Sequence, residues 1–150
     1  MKSLFKLAFA TILIFLISGC TSKPTHLELV IKSSSELNQD INNVSSPLML
    51  TFYELESAEK FLKYDFWTLL AKSGKNLNQD LVSQAKHVIV PEEEQTYKIV
   101  FSERTKFLGV VGKFRNIKSN SVWKYVINLN QEDGNYSELK VENYKIERVE

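Results

Sequence analysis

Pro47-Leu48-Met49-Leu50-Thr51-Phe52-Tyr53-Glu54 is the stretch that decides the fold. Leu48, Leu50 and Phe52 alternate with Met49, Thr51 and Tyr53, the period-2 signature of a strand. Both faces carry apolar bulk, so the strand belongs inside a sandwich with its outer side covered. The cover follows directly in the chain. Ser57 can cap a short helix running to about Tyr64, and Asp65 can cap another through Leu70. Phe61, Leu62, Phe66, Trp67, Leu69 and Leu70 give this segment a broad apolar face, which reads as core rather than as a ligand box. Gly74 is expected to end it.

Working outward, His26 to Lys32 alternates with Leu27, Leu29 and Ile31 on one face, a half-buried first strand. Between these strands runs Ser33 to Ser46, dominated by Ser, Asn and Asp, with only Leu37, Ile41 and Val44 apolar. Such residues bond their own backbone and favour turns. A connection this long is either a solvated loop or a functional one. Downstream, His87 to Val90 reads as a short strand ending at Pro91, and Glu92 to Glu94 as a solvated acidic turn. Gln95 to Phe101 alternates, with Tyr97, Ile99 and Phe101 together. Phe107 to Phe114 is the most apolar strand, and its Gly109 and Gly112 suggest a bulge or a close backbone approach. Val122 to Leu129 is a further strand. After the turn signal Asp133-Gly134-Asn135, Ser137 to Val141 and Tyr144 to Val149 can form a last hairpin. Seven or eight short strands at this spacing predict a mainly β protein, an antiparallel β-sandwich with a helical insertion after the second strand. Leu77-Asn78-Gln79-Asp80 repeats the letters of Leu37-Asn38-Gln39-Asp40, but the flanks do not match, so it reads as reuse of a turn-and-cap tetrad and not as a repeat fold.

The N-terminus carries a different kind of signal. Lys2 and Lys6 precede an apolar run from Leu7 to Ile17, too short to span a bilayer comfortably. A basic start, an apolar core and small residues describe a secretory signal over 1–19. The tetrad Ile17-Ser18-Gly19-Cys20 looks like a bacterial lipobox, in which the thiol of Cys20, the chain's one cysteine, takes a diacylglycerol thioether and its freed amino group is acylated, for instance with palmitate. Three acyl chains anchor firmly where one gives marginal binding. Residues 20–26 then form a lipidated tether, whose polar part from Thr21 to Thr25, fully extended, reaches on the order of 15–20 Å. By resemblance to lipoproteins of double-membraned bacteria, Thr21 in place of Asp after the cysteine favours the outer membrane, facing the periplasm.

Removal of the signal takes Lys2 and Lys6 from the 19 basic residues, leaving 17 against 18 acidic ones, a net charge of about −1. That balance predicts no nucleic-acid footprint and no polybasic membrane patch. The remaining 130 or so residues suit one domain with a real core. No catalytic constellation is legible: His26 and His87 have no partner at metal-ligand spacing, and no nucleophile elbow, phosphate loop or dinucleotide fingerprint is present. The expectation is a non-enzymatic adaptor with no cofactor and no metal.

Several ordered blocks resemble the type VI secretion outer-membrane lipoprotein family, TssJ (also VasD or SciN). They are Ser34 with Leu37-Asn38-Gln39-Asp40; Ser46-Pro47-Leu48 leading to Phe52-Tyr53-Glu54-Leu55; Phe61, Tyr64-Asp65-Phe66 and Leu69; and Leu108-Gly109-Val110-Val111-Gly112-Lys113-Phe114-Arg115 followed by Trp123-Lys124. Gln39 stands where that family often has proline, Asn42-Asn43-Val44 where a Gly-Arg pair is common, and beyond Leu129 no block aligns. The resemblance implies a transthyretin-like sandwich over 27–150, with 131–150 as its C-terminal hairpin. It further implies an outer-membrane anchor and a bond to the periplasmic domain of a TssM-like inner-membrane protein, with recruitment of TssA-family, ring and other type VI membrane-complex components. In that family the loop between the first two strands contributes to the TssM contact. Carried onto Ser33–Ser46, this nominates Leu37, Ile41 and Val44 as apolar anchors and Asn38 and Asp40 as hydrogen-bonding groups; the same Leu37 and Ile41 could instead pin the loop to its own domain. An assembly or pilot lipoprotein of another secretion system, or a periplasmic ligand-binding sandwich, shares the anchor and size.

Overall fold

A computed structural model describes residues 23–149. Eight strands are present among them: β1 (His26–Ser33), β2 (Leu48–Leu55), β3 (Leu81–Ile89), β4 (Glu94–Val100), β5 (Phe107–Gly112), β6 (Lys124–Asn128), β7 (Gly134–Glu142) and β8 (Lys145–Arg148). They form two four-stranded sheets, ordered β4-β1-β7-β8 and β3-β2-β5-β6. One ladder departs from the antiparallel expectation: β1 and β7 run parallel, with His26 opposite Gly134 and Ser33 opposite Val141. Parallel neighbours need a long crossover, and here the whole of the second sheet, together with β4, lies in the chain between them.

The sandwich core follows from the alternation. Leu27, Leu29 and Ile31 of β1 face Leu48, Leu50 and Phe52 of β2, and Leu108, Val110, Leu139, Val141 and Ile146 fill the space between. The other face of β2 is covered as its composition requires. Helix α1 (Glu59–Lys63), helix α2 (Phe66–Leu70) and a 3-10 stretch (Ala71–Asp80) lie over it. Phe61, Phe66, Leu69 and Leu77 pack there against Tyr53, Leu55 and Val111. Asp65 caps α2 as expected, its Oδ1 accepting from the Thr68 amide at 2.8 Å. At α1 the N-cap position falls on Ala58, which offers no side-chain acceptor; Ser57 Oγ instead takes the Glu59 amide at 3.3 Å. Gly74 does not end the segment: with φ +76 it turns the chain within the 3-10 stretch, which continues to Asp80.

Strand β3 begins at Leu81, six residues earlier than its apolar end announces. Ser83-Gln84-Ala85-Lys86 has no strand pattern of its own; pairing with β2 supplies the order that local propensity does not. The two Leu-Asn tetrads make similar local turns. Leu37 and Leu77 are buried, and Asn38 and Asn78 both adopt left-handed backbone, φ 49 and φ 53, which Asn tolerates better than other non-glycine residues.

The helical cover is fastened by two devices. Gly109 on β5 lets the Phe61 ring lie directly on the backbone, since a Cβ there would stand 2.6 Å from Phe61 Cζ. Lys124 on β6 donates from Nζ to the carbonyls of Phe61, Leu62 and Tyr64 at 2.8, 2.7 and 2.7 Å, satisfying the open C-terminal end of α1. Burial pulls the Lys124 pKa down from its ordinary value, while the Asp65 charge pulls it back up. Lys124→Met keeps the apolar stem and removes these bonds. Charge-assisted hydrogen bonds at a half-buried site support an expected loss of about 1–2 kcal/mol in urea unfolding; a midpoint unchanged from wild type would show that the lysine does not hold the helix.

Candidate functional site

The sandwich has two poles, and the chain's features divide between them. The chain enters at Thr25, whose carbonyl accepts from the Phe101 amide at 2.9 Å and whose Oγ1 accepts from the Glu132 amide at 2.9 Å. The start of β1, the end of β4 and the start of β7 therefore meet at this entry pole. A polar-rimmed cavity of about 460 Å³ lies there, lined by Lys23, Pro24, Thr25, Phe101, Ser102, Glu103, Gln131 and Glu132. β1 then runs eight residues, about 26 Å at 3.3 Å per residue, and delivers Ser33 and its loop to the opposite pole.

At this loop pole the five nominated residues separate. Leu37 is 0 % exposed and belongs to the sandwich core, and Asn38 is 3 % exposed. The Asn38 amide nitrogen donates to Ser46 Oγ at 3.1 Å and to the Pro47 carbonyl at 2.9 Å, while its Oδ1 accepts from the Arg115 amide at 2.8 Å. Its own amide donates to the Asn143 carbonyl at 3.1 Å. The direct-contact role expected for Leu37 and Asn38 is therefore corrected: neither presents surface, and together they lock the loop's base to the β5 exit and the β7–β8 turn. Asp40 organises the tip. Its Oδ1 accepts from the Asn42 and Val44 amides at 2.8 and 2.9 Å. These bonds, the Val44 one first, hold its carboxyl below the usual carboxylate range. Ile41 and Val44 do project, 86 % and 59 % exposed. Ile41 therefore does not pin the loop to its own domain.

The polar sequence of the loop hid this division, because Leu37 and Ile41 look alike on a line of Ser and Asn. The signal that separates them is Leu37-Asn38 as a buried-leucine, left-handed-asparagine pair, the arrangement that Leu77-Asn78 shares.

Cys20, the predicted signal and residues 20–22 of the tether lie outside the described residues. No helix among the described residues is long and apolar enough to cross a membrane, and no group of three or more His, Cys, Asp or Glu there could hold a metal ion. His26 Nδ1 sits 3.2 Å from the Pro24 carbonyl. His87 stacks 4.5 Å from Phe52 and 4.7 Å from Tyr97, ring centre to ring centre. Burial lowers the His87 pKa from its ordinary value.

A filled sandwich, a bracketed cover on one sheet and a rigid-based loop at the pole opposite the chain's entry describe a structural β-sandwich that displays one loop. Within that class, the family model for the type VI secretion lipoprotein (VasD, EvfM, TssJ) matches residues 25–144, and the chain belongs to that family. The family is one of structural lipoproteins and not of enzymes. Among solved structures, the type VI lipoprotein TssJ1 from Pseudomonas aeruginosa is similar at 25% identity and a TM-score of 0.79, over 84% of this chain and 95% of that one. Serratia marcescens Lip, described as a membrane-bound component of the type VI secretion system, shares the fold at 15% identity and a TM-score of 0.77, over 85% and 97%. A chain of a type VI membrane complex does so at 17% identity and a TM-score of 0.74, over 85% and 100%. No curated protein matches the sequence.

Proposed function

We propose that this lipoprotein is an adaptor of a type VI secretion membrane complex, held in the outer membrane by a lipid on Cys20 and facing the periplasm. There it tethers the periplasmic domain of a TssM-like inner-membrane protein. The observation that supports this reading most strongly is the opposition of the two poles. A short tether ties one end of the sandwich to the membrane, and the loop with Ile41 and Val44 exposed lies about one strand length away, where a partner rooted in the other membrane is reachable. Load then passes along β1 and its neighbours, which the two sheets hold rigid. In this arrangement Ile41 and Val44 contact the partner, and Leu37, Asn38 and Asp40 set the loop's shape.

The test uses two kinds of variant in the full chain. Cys20→Ser is expected to fold normally and to leave the outer-membrane fraction on sucrose-gradient separation; its retention there defeats the anchor role. Ile41→Asp with Val44→Asp places charge on two exposed positions, where surface substitutions change stability little. Binding to a purified TssM-like periplasmic domain is expected to weaken at least about tenfold, the scale of losing apolar anchors at an interface. Unchanged affinity removes the loop tip from the contact. Point changes are preferable to shortening Ser33–Ser46, since a deletion also takes out Leu37 and Asn38 and with them the loop's base.

A further inference from the structure

On the outer face of the β3-β2-β5-β6 sheet, just past the edge of the helical cover, a small pocket of about 20 Å³ is lined by Thr51, Tyr53, Leu70, Gln84, Lys86 and Lys113. Strand register puts these groups together: Thr51 stands opposite Lys86, and Tyr53 opposite Gln84. Lys113 lies two residues beyond Val111, the partner of Thr51 on β5.

One of the pocket's polar groups is buried and unsatisfied. Thr51 is 1 % exposed, and its hydroxyl is the one buried side-chain polar atom without a hydrogen-bond partner among the described residues. Leaving a hydroxyl buried and unpaired is costly, so a group that persists in this state calls for an occupant. Neither Lys86 nor Lys113 takes part in the ion pairs found among the described residues. The Tyr53 side chain is buried as well, and burial alone raises its pKa, with no hydrogen bond contributing. Two hydroxyls, an amide and two ammonium groups are predominantly donors. A water molecule fits the volume and satisfies Thr51, but it makes no use of the two unpaired cations beside it. An anion with an oxygen acceptor satisfies the hydroxyl and is attracted by the two lysines.

From this cluster we infer that the Thr51 pocket binds a carboxylate, one oxygen accepting from the Thr51 hydroxyl and the charge lying between Lys86 and Lys113. The carboxylate has two possible sources, a small free acid or an Asp or Glu side chain of a bound protein segment. The Met49–Val88 cross-strand pair beside the pocket is exposed and apolar, and gives a peptide, though not a free acid, something further to cover. The site is separate from the projecting loop, so its failure leaves the adaptor reading standing, and failure of that reading leaves the pocket.

The experiment is an amide-resolved NMR titration of the full chain in detergent micelles. Sodium acetate and sodium chloride are added at matched ionic strength, then an acetylated, amidated peptide rich in Glu and Leu. Acetate is expected to give saturable shifts centred on Thr51, Gln84, Lys86 and Lys113. Thr51→Val, which removes an unpaired hydroxyl and keeps the branched shape, is expected to fold and to weaken acetate binding about tenfold. Lys113→Met serves as a second variant with the same expectation should Thr51→Val disturb the strand. A peptide that binds at least tenfold more tightly than acetate, with Met49 and Val88 shifting too, identifies a protein segment as the source. Equal affinities identify a small acid. No saturable shift with acetate or peptide, equal response to chloride, or titration unchanged in both variants overturns the proposal.

Discussion

Asn38→Ala is expected to lower stability by about 2–5 kcal/mol and to unseat the whole loop between β1 and β2. Two costs combine. Alanine at φ 49 occupies the left-handed region, worth roughly 1–2 kcal/mol for a residue with a Cβ. Removing the amide also strands the Pro47 carbonyl and the Arg115 amide, its partners at 2.9 and 2.8 Å, at roughly 1–3 kcal/mol for partly buried groups. The two terms can be separated. Asn38→Gly relieves the backbone but still lacks the side-chain hydrogen bonds, so it should recover about 1 kcal/mol of the alanine loss. Chemical denaturation measures the totals, and amide exchange at Ser46 and Arg115 reports whether the loop base has opened. Should Asn38→Ala unfold at the wild-type midpoint with both amides still protected, Asn38 is not the fastening that its contacts describe. If the base opens while the sandwich persists, partner binding through Ile41 and Val44 is expected to fall in parallel, because a loop that must first be ordered binds more weakly.

Phe61→Ala carries the other large effect, about 3–5 kcal/mol. Phe61 is fully buried, its ring centre 5.6 Å from that of Tyr53 and its face against Gly109. Truncation empties the centre of the helical cover, which a segment of five-residue helices cannot refill by itself. The reciprocal change, Gly109→Ala, inserts a methyl within 2.7 Å of two ring carbons and is expected to cost about 1–3 kcal/mol by overpacking. Because one contact underlies both losses, Phe61→Leu is expected to be less harmful in the Gly109→Ala background than in the wild type. A double-mutant cycle measures that coupling. Strict additivity would mean that the close approach of ring and backbone contributes nothing. The effect should stay local: the Ser46 and Arg115 amides at the far pole remain protected.

These two sites also show where the chain is readable. Gly109 announces a close approach in sequence, being small amid Leu108, Val110 and Val111, but its partner Phe61 is 48 positions away and carries no mark of its destination. Lys124 reads as an ordinary charged residue on a strand, and its use as a cap for α1 depends on β6 lying beneath that helix. At the loop, polarity signalled length and exposure correctly for Ile41 and Val44. It misled at Leu37 and Asn38, where the base folds back to join Asn143 and Arg115. The Thr51 pocket had no sequence signal at all, since Thr51, Lys86 and Lys113 meet through the pairing of three strands.

The amino-acid sequence by itself determined the periodicities: the strands, the two-faced β2 that demands a cover, the aromatic segment that supplies it, and the ordered blocks that mark the family. Those are local properties, set by alternation, capping and turn chemistry over fewer than about ten residues. Only the tertiary structure decided the parallel pairing of β1 with β7, the placing of the entry at Thr25 and of the loop at opposite poles, and the division of the loop into a buried base and an exposed tip. Each of these depends on contacts between residues dozens of positions apart, and such contacts are fixed by how two sheets pack and not by any one segment's preference.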